Sequence, residues 1–157
     1  MNPHSQNLAL STTAESGTDE QTGPRALRRG AQNRRVLIVD DSPEDRSALR
    51  WYGESIGCIV KEACGLQEMN GILPKWKPDL LVLDIIMPNT DGLDIMRELK
   101  MAHCEIPLFL MTGRHHLLKP AYNLGSAYGL NVVGAIRKPI KGDDFKAKLR
   151  RAFATWG

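Results

Sequence analysis

Polar side chains follow apolar runs at the points where buried strands are expected to end. The apolar runs 36–39, 80–83, 108–111 and 132–136 are closely followed by Asp40 and Asp41, Asp84, Thr112 and Lys138, respectively. In an open parallel sheet the carboxyl ends of the strands share one edge, so these groups can converge although they lie far apart in the chain. Carboxylates, a hydroxyl and an amine at one edge indicate phosphoryl chemistry, with Asp84 as the nucleophile.

The strands that must position these groups alternate with amphipathic segments. The predicted strands cover 36–39, 58–63, 79–84, 106–111 and 132–136, and the predicted helices cover about 43–56, 67–75, 92–101, 117–128 and 142–155. This alternation predicts an α/β fold with a parallel sheet and helices on both faces. Ser42, Pro43 and Asp45 match a capping box that starts the first helix. Gly125 is expected to weaken the fourth helix by about 1 kcal/mol relative to alanine.

Composition limits the class of protein. A chain of 157 residues fits one domain, and its 42% hydrophobic and 25% charged content is ordinary for a soluble globular protein. The three cysteines are odd in number and form no C-x-x-C pair, which favours reduced thiols in the cytoplasm. The apolar stretch 8–10 is too short for a signal peptide, and no stretch is long enough to span a bilayer. We therefore expect a cytoplasmic protein without membrane association.

The two ends of the chain lead to different expectations. Residues 1–33 are polar and lack apolar periodicity, so they are predicted to form a disordered N-terminal tail. Residues 34–157 are predicted to form one domain, and because the last helix runs to the end of the chain we expect no output domain. Basic residues cluster before the first strand and in the last helix, but no helix-turn-helix or aromatic platform accompanies them. Direct nucleic-acid binding is therefore not expected.

Four segments together resemble the motifs of receiver domains in bacterial two-component response regulators. They are 36–42, 83–88 with Asp91 and Gly92, 111–113 and 137–140. The resemblance covers about 34–156 and suggests a single-domain response regulator. It implies a flavodoxin-like, doubly wound sheet of five parallel strands in the order 2-1-3-4-5, with the site at the topological switch point.

The resemblance also implies a role for each polar residue. Asp84 would be the phosphoacceptor, receiving a phosphoryl group from a sensor histidine kinase or a histidine phosphotransfer protein. Lys138 would pair with the phosphoryl oxygens, and Thr112 would hydrogen-bond to another of them. Pro139 would follow a cis peptide bond. The protein would then signal by binding an unidentified downstream protein, as a switch and not as an enzyme.

The same site is expected to hold Mg²⁺. Three carboxylates brought together without a cation would repel one another and raise at least one pKa, whereas Mg²⁺ prefers oxygen ligands. Asp41 and Asp84 are the expected direct ligands. Asp40, directly or through water, and the backbone carbonyl of Ile86 complete the expected shell.

The sequence departs from the family pattern at two places. Ala135 stands where the family usually has an aromatic residue three positions before the lysine, so we hypothesise that activation moves the fourth helix. Amide exchange over 117–128 that does not change with a phosphoryl mimic would contradict this. Ile86 and Arg114 would flank the phosphoryl group, and Ile86 offers no polar side chain to orient a water. We therefore expect slow loss of the phosphoryl group.

Other functions remain open at this level. A phosphohydrolase of the haloacid dehalogenase type would also use an aspartyl nucleophile, but it would need a second aspartate at position 86. A degenerate receiver could act as a phosphorylation-independent adaptor, although Asp40, Asp41, Asp84, Thr112 and Lys138 are all present. His115 and His116 are adjacent and are expected to lie in an exposed loop rather than to bind a metal.

Overall fold

The computed structural model of the protein describes residues 30–88 and 92–155. Its sheet consists of β1 (Arg35–Val39), β2 (Ile59–Ala63), β3 (Leu80–Asp84), β4 (Leu108–Thr112) and β5 (Val132–Arg137). The strands lie in the order β2-β1-β3-β4-β5, and every neighbouring pair is parallel. The predicted fold and strand order are therefore confirmed, with β2 and β5 at the two edges.

Within the described part of the chain, five α-helices cover the two faces of this sheet. They are α1 (Pro43–Ser55), α2 (Leu66–Ile72), α3 (Gly92–Met101), α4 (Leu118–Ala127) and α5 (Gly142–Ala154), and a short 3₁₀ helix (His115–Leu117) precedes α4. Buried residues of α1 and α5 share one core cluster, whereas those of α2, α3 and α4 share the other.

The central strands are apolar throughout because both of their faces are covered. Every residue of β3 and of β4 is buried. In β1 the side chain of Ile38 belongs to the core cluster under α1 and α5, and that of Leu37 belongs to the cluster on the opposite face. Continuous apolar runs are typical of strands in such doubly covered parallel sheets. The first polar residue after each run therefore marks the carboxyl edge of the sheet.

Residues 30–33, which precede the predicted boundary at residue 34, pack against the domain. Residues 30–33 form a turn in which Ala31 is buried, and the Asn33 amide donates to the Gly57 carbonyl at 2.8 Å. Arg34, counted in the sequence among the basic residues before the first strand, is also buried. Its guanidinium lies 5.5 Å from the centre of the Phe153 ring and 3.9 Å from Asp79. Residues 1–29 of the predicted tail lie outside the described residues.

The structure shows the state of the cysteines and the lengths of the described helices. All three cysteines are free: Cys58 is buried, Cys104 is partly buried and Cys64 is exposed. In residues 30–88 and 92–155, no helix combines the length and the apolar character needed to cross a membrane.

Gly125 allows α4 to pack closely against its neighbours. The glycine is buried in the last turn of the helix, and a Cβ added there would lie 2.6 Å from Cγ2 of Val132 and 3.1 Å from Cε of Met96. A side chain at this position would therefore push α4 away from β5 and α3. The expected weakening of the helix does not fully describe Gly125. The close approach of α4 to β5 and α3 also depends on the absence of a side chain at this position.

We expect Gly125→Ala to lower the free energy of unfolding by about 1–2 kcal/mol, because overpacking outweighs the gain in helix propensity. Urea unfolding measures this change. Gly71→Ala is the matched control, since it is also helical but a Cβ there meets nothing within 4 Å. The control should stabilise the protein by roughly 0.5–1 kcal/mol. A stabilising Gly125→Ala would show that α4 shifts without cost.

Candidate functional site

The predicted polar residues meet at the carboxyl edge of four neighbouring strands. Asp40 directly follows β1, Asp84 ends β3, Thr112 ends β4, and Lys138 directly follows β5. Asp40 and Asp84 expose 0% and 3% of their surface, so both carboxyl groups are almost removed from water. Removing carboxylates from water is unfavourable unless they are paired. The partner that the structure provides is Lys138.

The ammonium group of Lys138 joins three carboxylates. Its Nζ donates to Oδ2 of Asp40 at 2.7 Å and to Oδ2 of Asp84 at 2.8 Å, and it lies 2.7 Å from Oδ2 of Asp45. The first two contacts confirm that the predicted residues converge. Asp45 was not predicted as a site residue. The contact depends on how the first turn of α1 is rotated toward the end of β5, which sequence spacing does not reveal.

Asp45 is available to Lys138 because only half of the predicted capping box forms. The Ser42 hydroxyl accepts from the Asp45 amide at 3.2 Å, as the capping box requires. The Ser42 amide, however, donates to Oδ1 of Asp40 at 2.9 Å instead of to the Asp45 side chain. The carboxylate of Asp45 therefore points to the lysine, and the start of α1 orients Asp40.

Backbone contacts hold the Asp84 carboxylate in place. Its Oδ1 accepts from the Ile86 amide at 2.9 Å, and the next residue, Ile85, donates its amide to the Met111 carbonyl at 2.9 Å. Gly92 begins α3 against this loop: a Cβ there would collide with Cα of Ile85 and with the carbonyl oxygen of Asp84. The Asp–Gly motif thus needs its glycine for close approach. Its other member, Asp91, lies outside the described residues.

Thr112 and the backbone of Lys138 are held together in the neighbouring loops. The buried Thr112 hydroxyl accepts from the Arg114 amide at 3.0 Å, and the Lys138 amide donates to the Thr112 carbonyl at 3.0 Å. The Lys138–Pro139 peptide bond is cis, as predicted. His115 is exposed, also as predicted, but its Nε2 lies 3.1 Å from the Lys138 carbonyl oxygen. Like the carboxylates of Asp40 and Asp84, the Thr112 hydroxyl is thus oriented by a backbone amide of its own loop.

Burial and ion pairing change the proton affinity of the site. Burial raises the pKa of Asp40 to about 6, although hydrogen bonds from Lys138 and the Ser42 amide oppose this rise. Burial also disfavours the charged form of Lys138, but hydrogen bonds to Asp40, Asp45 and Asp84 outweigh it and raise the lysine pKa above its ordinary value. Lys138 is therefore a cation at neutral pH. Ionisation of Asp40 costs more free energy than ionisation of a solvent-exposed aspartate, because the carboxylate is buried.

The acidic residues fit a divalent cation. Asp40, Asp41 and Asp84 can each offer one carboxylate oxygen, and these oxygens lie within 4.8 Å of one another. An all-oxygen donor set suits Mg²⁺. The predicted carboxylate ligands are thus brought together. The backbone amide of Ile86 donates a hydrogen bond to Asp84. The role of the Ile86 carbonyl as a metal ligand stays a prediction.

Comparison with known proteins agrees with this geometry. Residues 36–150 match the family model of the response regulator receiver domain. The chain is 31% identical over 127 residues to the transcriptional regulatory protein TrcR of Mycobacterium tuberculosis, covering 81% of this chain and 48% of TrcR. It is 30% identical over 118 residues to the transcriptional regulatory protein DctD of Pseudomonas aeruginosa, covering 74% and 24%. The crystal structure of a response regulator from Colwellia psychrerythraea has a TM-score of 0.66 at 27% identity, covering 78% of this chain and 98% of that one.

The chain belongs to the response regulator receiver domain family of two-component systems. Receiver domains of this family are phosphorylated by histidine kinases and normally bind Mg²⁺ at an acidic pocket. The chain spans about half of TrcR and about a quarter of DctD, so the functions of those whole proteins do not transfer to it.

Ala135 lies in an open depression, as its small size predicts. The depression has a volume of about 420 Å³ and lies between α4, β5 and α5; Leu118, Lys119, Tyr122, Ala135, Arg137, Asp144 and Lys148 line it. No aromatic ring from position 135 fills this space. The depression provides room for α4 to shift, and the shift itself stays a hypothesis.

The raised pKa of Asp40 leads to a prediction about stability and pH. Its folded-state value of about 6 lies above the ordinary 3.8, so the folded state binds the proton more tightly and loses stability as the pH rises from about 4 to 6. Asp40→Asn removes this loss. We expect it to raise the free energy of unfolding by about 2 kcal/mol at pH 7.5 without divalent cations, and by much less at pH 4.5.

Urea unfolding at the two pH values measures the difference between the variant and the parent chain. Asp94→Asn is the matched control, because among the described residues its exposed carboxylate pairs with Arg97 on the surface of α3. Such a surface change should alter stability by less than about 0.5 kcal/mol at either pH. An Asp40→Asn protein less stable than its parent at pH 7.5 would contradict the argument.

Proposed function

We propose that the protein is a phosphorylation-dependent signalling switch. Asp84 receives a phosphoryl group from a phosphohistidine on a sensor histidine kinase or a histidine phosphotransfer protein, and the phosphorylated form binds a downstream protein. The observation that carries the proposal is the buried Asp84 carboxylate, which contacts Lys138 and lies among the carboxylates of Asp40 and Asp41. The single-domain type and the cytoplasmic location stay predictions.

The transfer is a substitution at phosphorus. A carboxylate oxygen of Asp84 forms the new P–O bond while the P–N bond to the histidine breaks, and the leaving imidazole nitrogen keeps the electron pair and takes up a proton. Catalysis of such a step relies on positioning and on charge stabilisation. The Ile86 amide fixes one oxygen of Asp84, and the Lys138 ammonium moves to the phosphoryl oxygens. Bound Mg²⁺ would supply further positive charge for the acceptor and the phosphoryl oxygens, held by Asp40, Asp41 and Asp84.

The switch requires the Thr112 hydroxyl to gain a partner. This hydroxyl accepts a bond from the Arg114 amide, and its own hydrogen can be donated to a phosphoryl oxygen on Asp84. Thr112 ends β4, and the chain from Arg114 leads through the 3₁₀ helix into α4. A movement of the threonine is therefore passed to α4, which borders the depression at Ala135. The position of α4 is the proposed signal to the downstream protein.

The first test is phosphorylation by a small donor. We expect the intact mass of the protein to increase by one phosphoryl group after incubation with Mg²⁺ and acetyl phosphate, because the Asp84 carboxylate at the end of β3 is oriented by the Ile86 amide and paired with Lys138. The gain should be absent in Asp84→Ala and in the presence of a chelator. Asp94→Asn is the control and should be modified like the parent chain. Absence of the gain with several phosphodonors and with added kinases would favour the phosphorylation-independent adaptor instead.

The second test concerns the lifetime of the phosphoryl group. Ile86 exposes 40% of its surface directly beside Asp84, and its apolar side chain cannot orient an attacking water. We expect Ile86→Asn to speed hydrolysis by about tenfold, because an amide that only orients the water contributes less than the roughly 10²–10⁴-fold of a positioned general acid or base. Loss of the added mass with time measures the rate. Ile59→Asn, an equally exposed isoleucine on the edge strand β2, should decay like the parent. Equal rates for all three proteins would refute the idea.

A further inference from the structure

Lys138 occupies the carboxylates that would hold the cation. It contacts Oδ2 of Asp40 and Oδ2 of Asp84, and the other oxygen of each side chain already accepts a backbone amide, from Ser42 and from Ile86 respectively. A divalent cation held by these carboxylates would lie close to the ammonium group and compete with it for the same side chains. Two neighbouring cations repel, so bound Mg²⁺ would displace Lys138 from at least part of its present contacts.

We propose that Asp45 is the positioning residue that keeps Lys138 paired when Mg²⁺ enters, and that it thereby strengthens Mg²⁺ binding. This inference rests on the proposed function, because it assumes the Mg²⁺ site at Asp40, Asp41 and Asp84. Asp45 lies outside that set of ligands, yet its Oδ2 is 2.7 Å from Nζ of Lys138. Of the three carboxylates that contact the lysine, Asp45 is therefore the one for which the cation would not compete.

The energetic reason is the cost of a buried charge without a partner. The Lys138 side chain exposes only 18% of its surface. If Mg²⁺ takes Asp40 and Asp84, an ammonium without Asp45 loses all three carboxylate contacts in a place where water replaces them poorly. Breaking a buried ion pair so that one charge remains unpaired is strongly unfavourable. With Asp45 present, the ammonium retreats a short way and stays paired.

The local structure keeps Asp45 free for this role. Its backbone amide is fixed by the Ser42 hydroxyl in the first turn of α1, so the residue does not swing away. Its carboxylate is released from the capping box because Asp40 has taken the Ser42 amide. The side chain exposes 36% of its surface, about twice the value for Lys138. A more exposed carboxylate at the rim gives the lysine a place that is better hydrated than the metal pocket.

The alternative is a general field effect, in which any acid near the site attracts Mg²⁺. Glu44 separates the two explanations. It is the neighbouring residue in the same first turn of α1, and its carboxylate contacts the Ser42 hydroxyl at 3.3 Å. Glu44→Gln and Asp45→Asn each remove one negative charge from the start of α1, but only the second removes a contact of Lys138.

The test is calorimetric titration of the full chain with Mg²⁺. We expect Asp45→Asn to raise the dissociation constant about five- to tenfold, near the low end of the effect of outer-shell partners on metal sites. Glu44→Gln should change it by less than about twofold, since exposed charges act weakly. Thermal unfolding of each variant without Mg²⁺ verifies that the chain is folded.

The same substitution made in a chain that also carries Lys138→Met shows whether Asp45 acts through the lysine. In Lys138→Met there is no ammonium to displace, so adding Asp45→Asn should leave Mg²⁺ affinity nearly unchanged. An effect of Asp45→Asn that persists in this background, or that Glu44→Gln reproduces, would overturn the inference and leave the Mg²⁺ site intact. Equal affinity of Asp45→Asn and the parent chain would overturn it too. If the parent chain itself binds no Mg²⁺, the proposed site fails, and the inference fails with it.

Discussion

Two buried carboxylates at the edge of an apolar sheet require positive charge, and the rest of the site is arranged around that requirement. Asp40 and Asp84 follow strands that are covered on both faces, so water cannot solvate them fully. The ammonium of Lys138 supplies the charge in this structure. The order of the strands places the end of β5 close enough to deliver it, and the amides of Ser42 and Ile86 satisfy the remaining oxygens.

This requirement also connects the resting site with its proposed chemistry. The same oxygens that attract a lysine attract a divalent cation, and the same lysine that neutralises carboxylates can neutralise a phosphoryl group. The charges of such a site can be neutralised in more than one arrangement, because the ammonium group can pair with Asp40, Asp45, Asp84 or an incoming phosphate. Asp45 adds one more partner for the ammonium group, since it lies at the rim between the buried pocket and water.

The parts of the structure that depend on local patterns were predictable from the sequence. The central strands were recognised because continuous apolar runs are typical of doubly covered strands, and the site residues were recognised because they end those runs. What depends on contacts between distant segments was not. The role of Asp45 depends on the rotation of α1 against β5, and the turn at the buried Ala31 makes a hydrogen bond from the Asn33 amide to the Gly57 carbonyl. The helix pattern predicts a cost for Gly125, but it does not reveal the close packing against Val132 and Met96 that this glycine permits.

The position of β5 at the edge of the sheet has a consequence for the lifetime of the resting state. This strand is hydrogen-bonded to β4 alone, and Lys138 follows it directly. Edge elements open more readily than central ones in native proteins, through local fraying that leaves the remaining fold intact. Local opening at the end of β5 would withdraw the ammonium and leave Asp40 and Asp84 without their counter-ion. The local stability of this edge strand would then set how long Lys138 occupies the pocket.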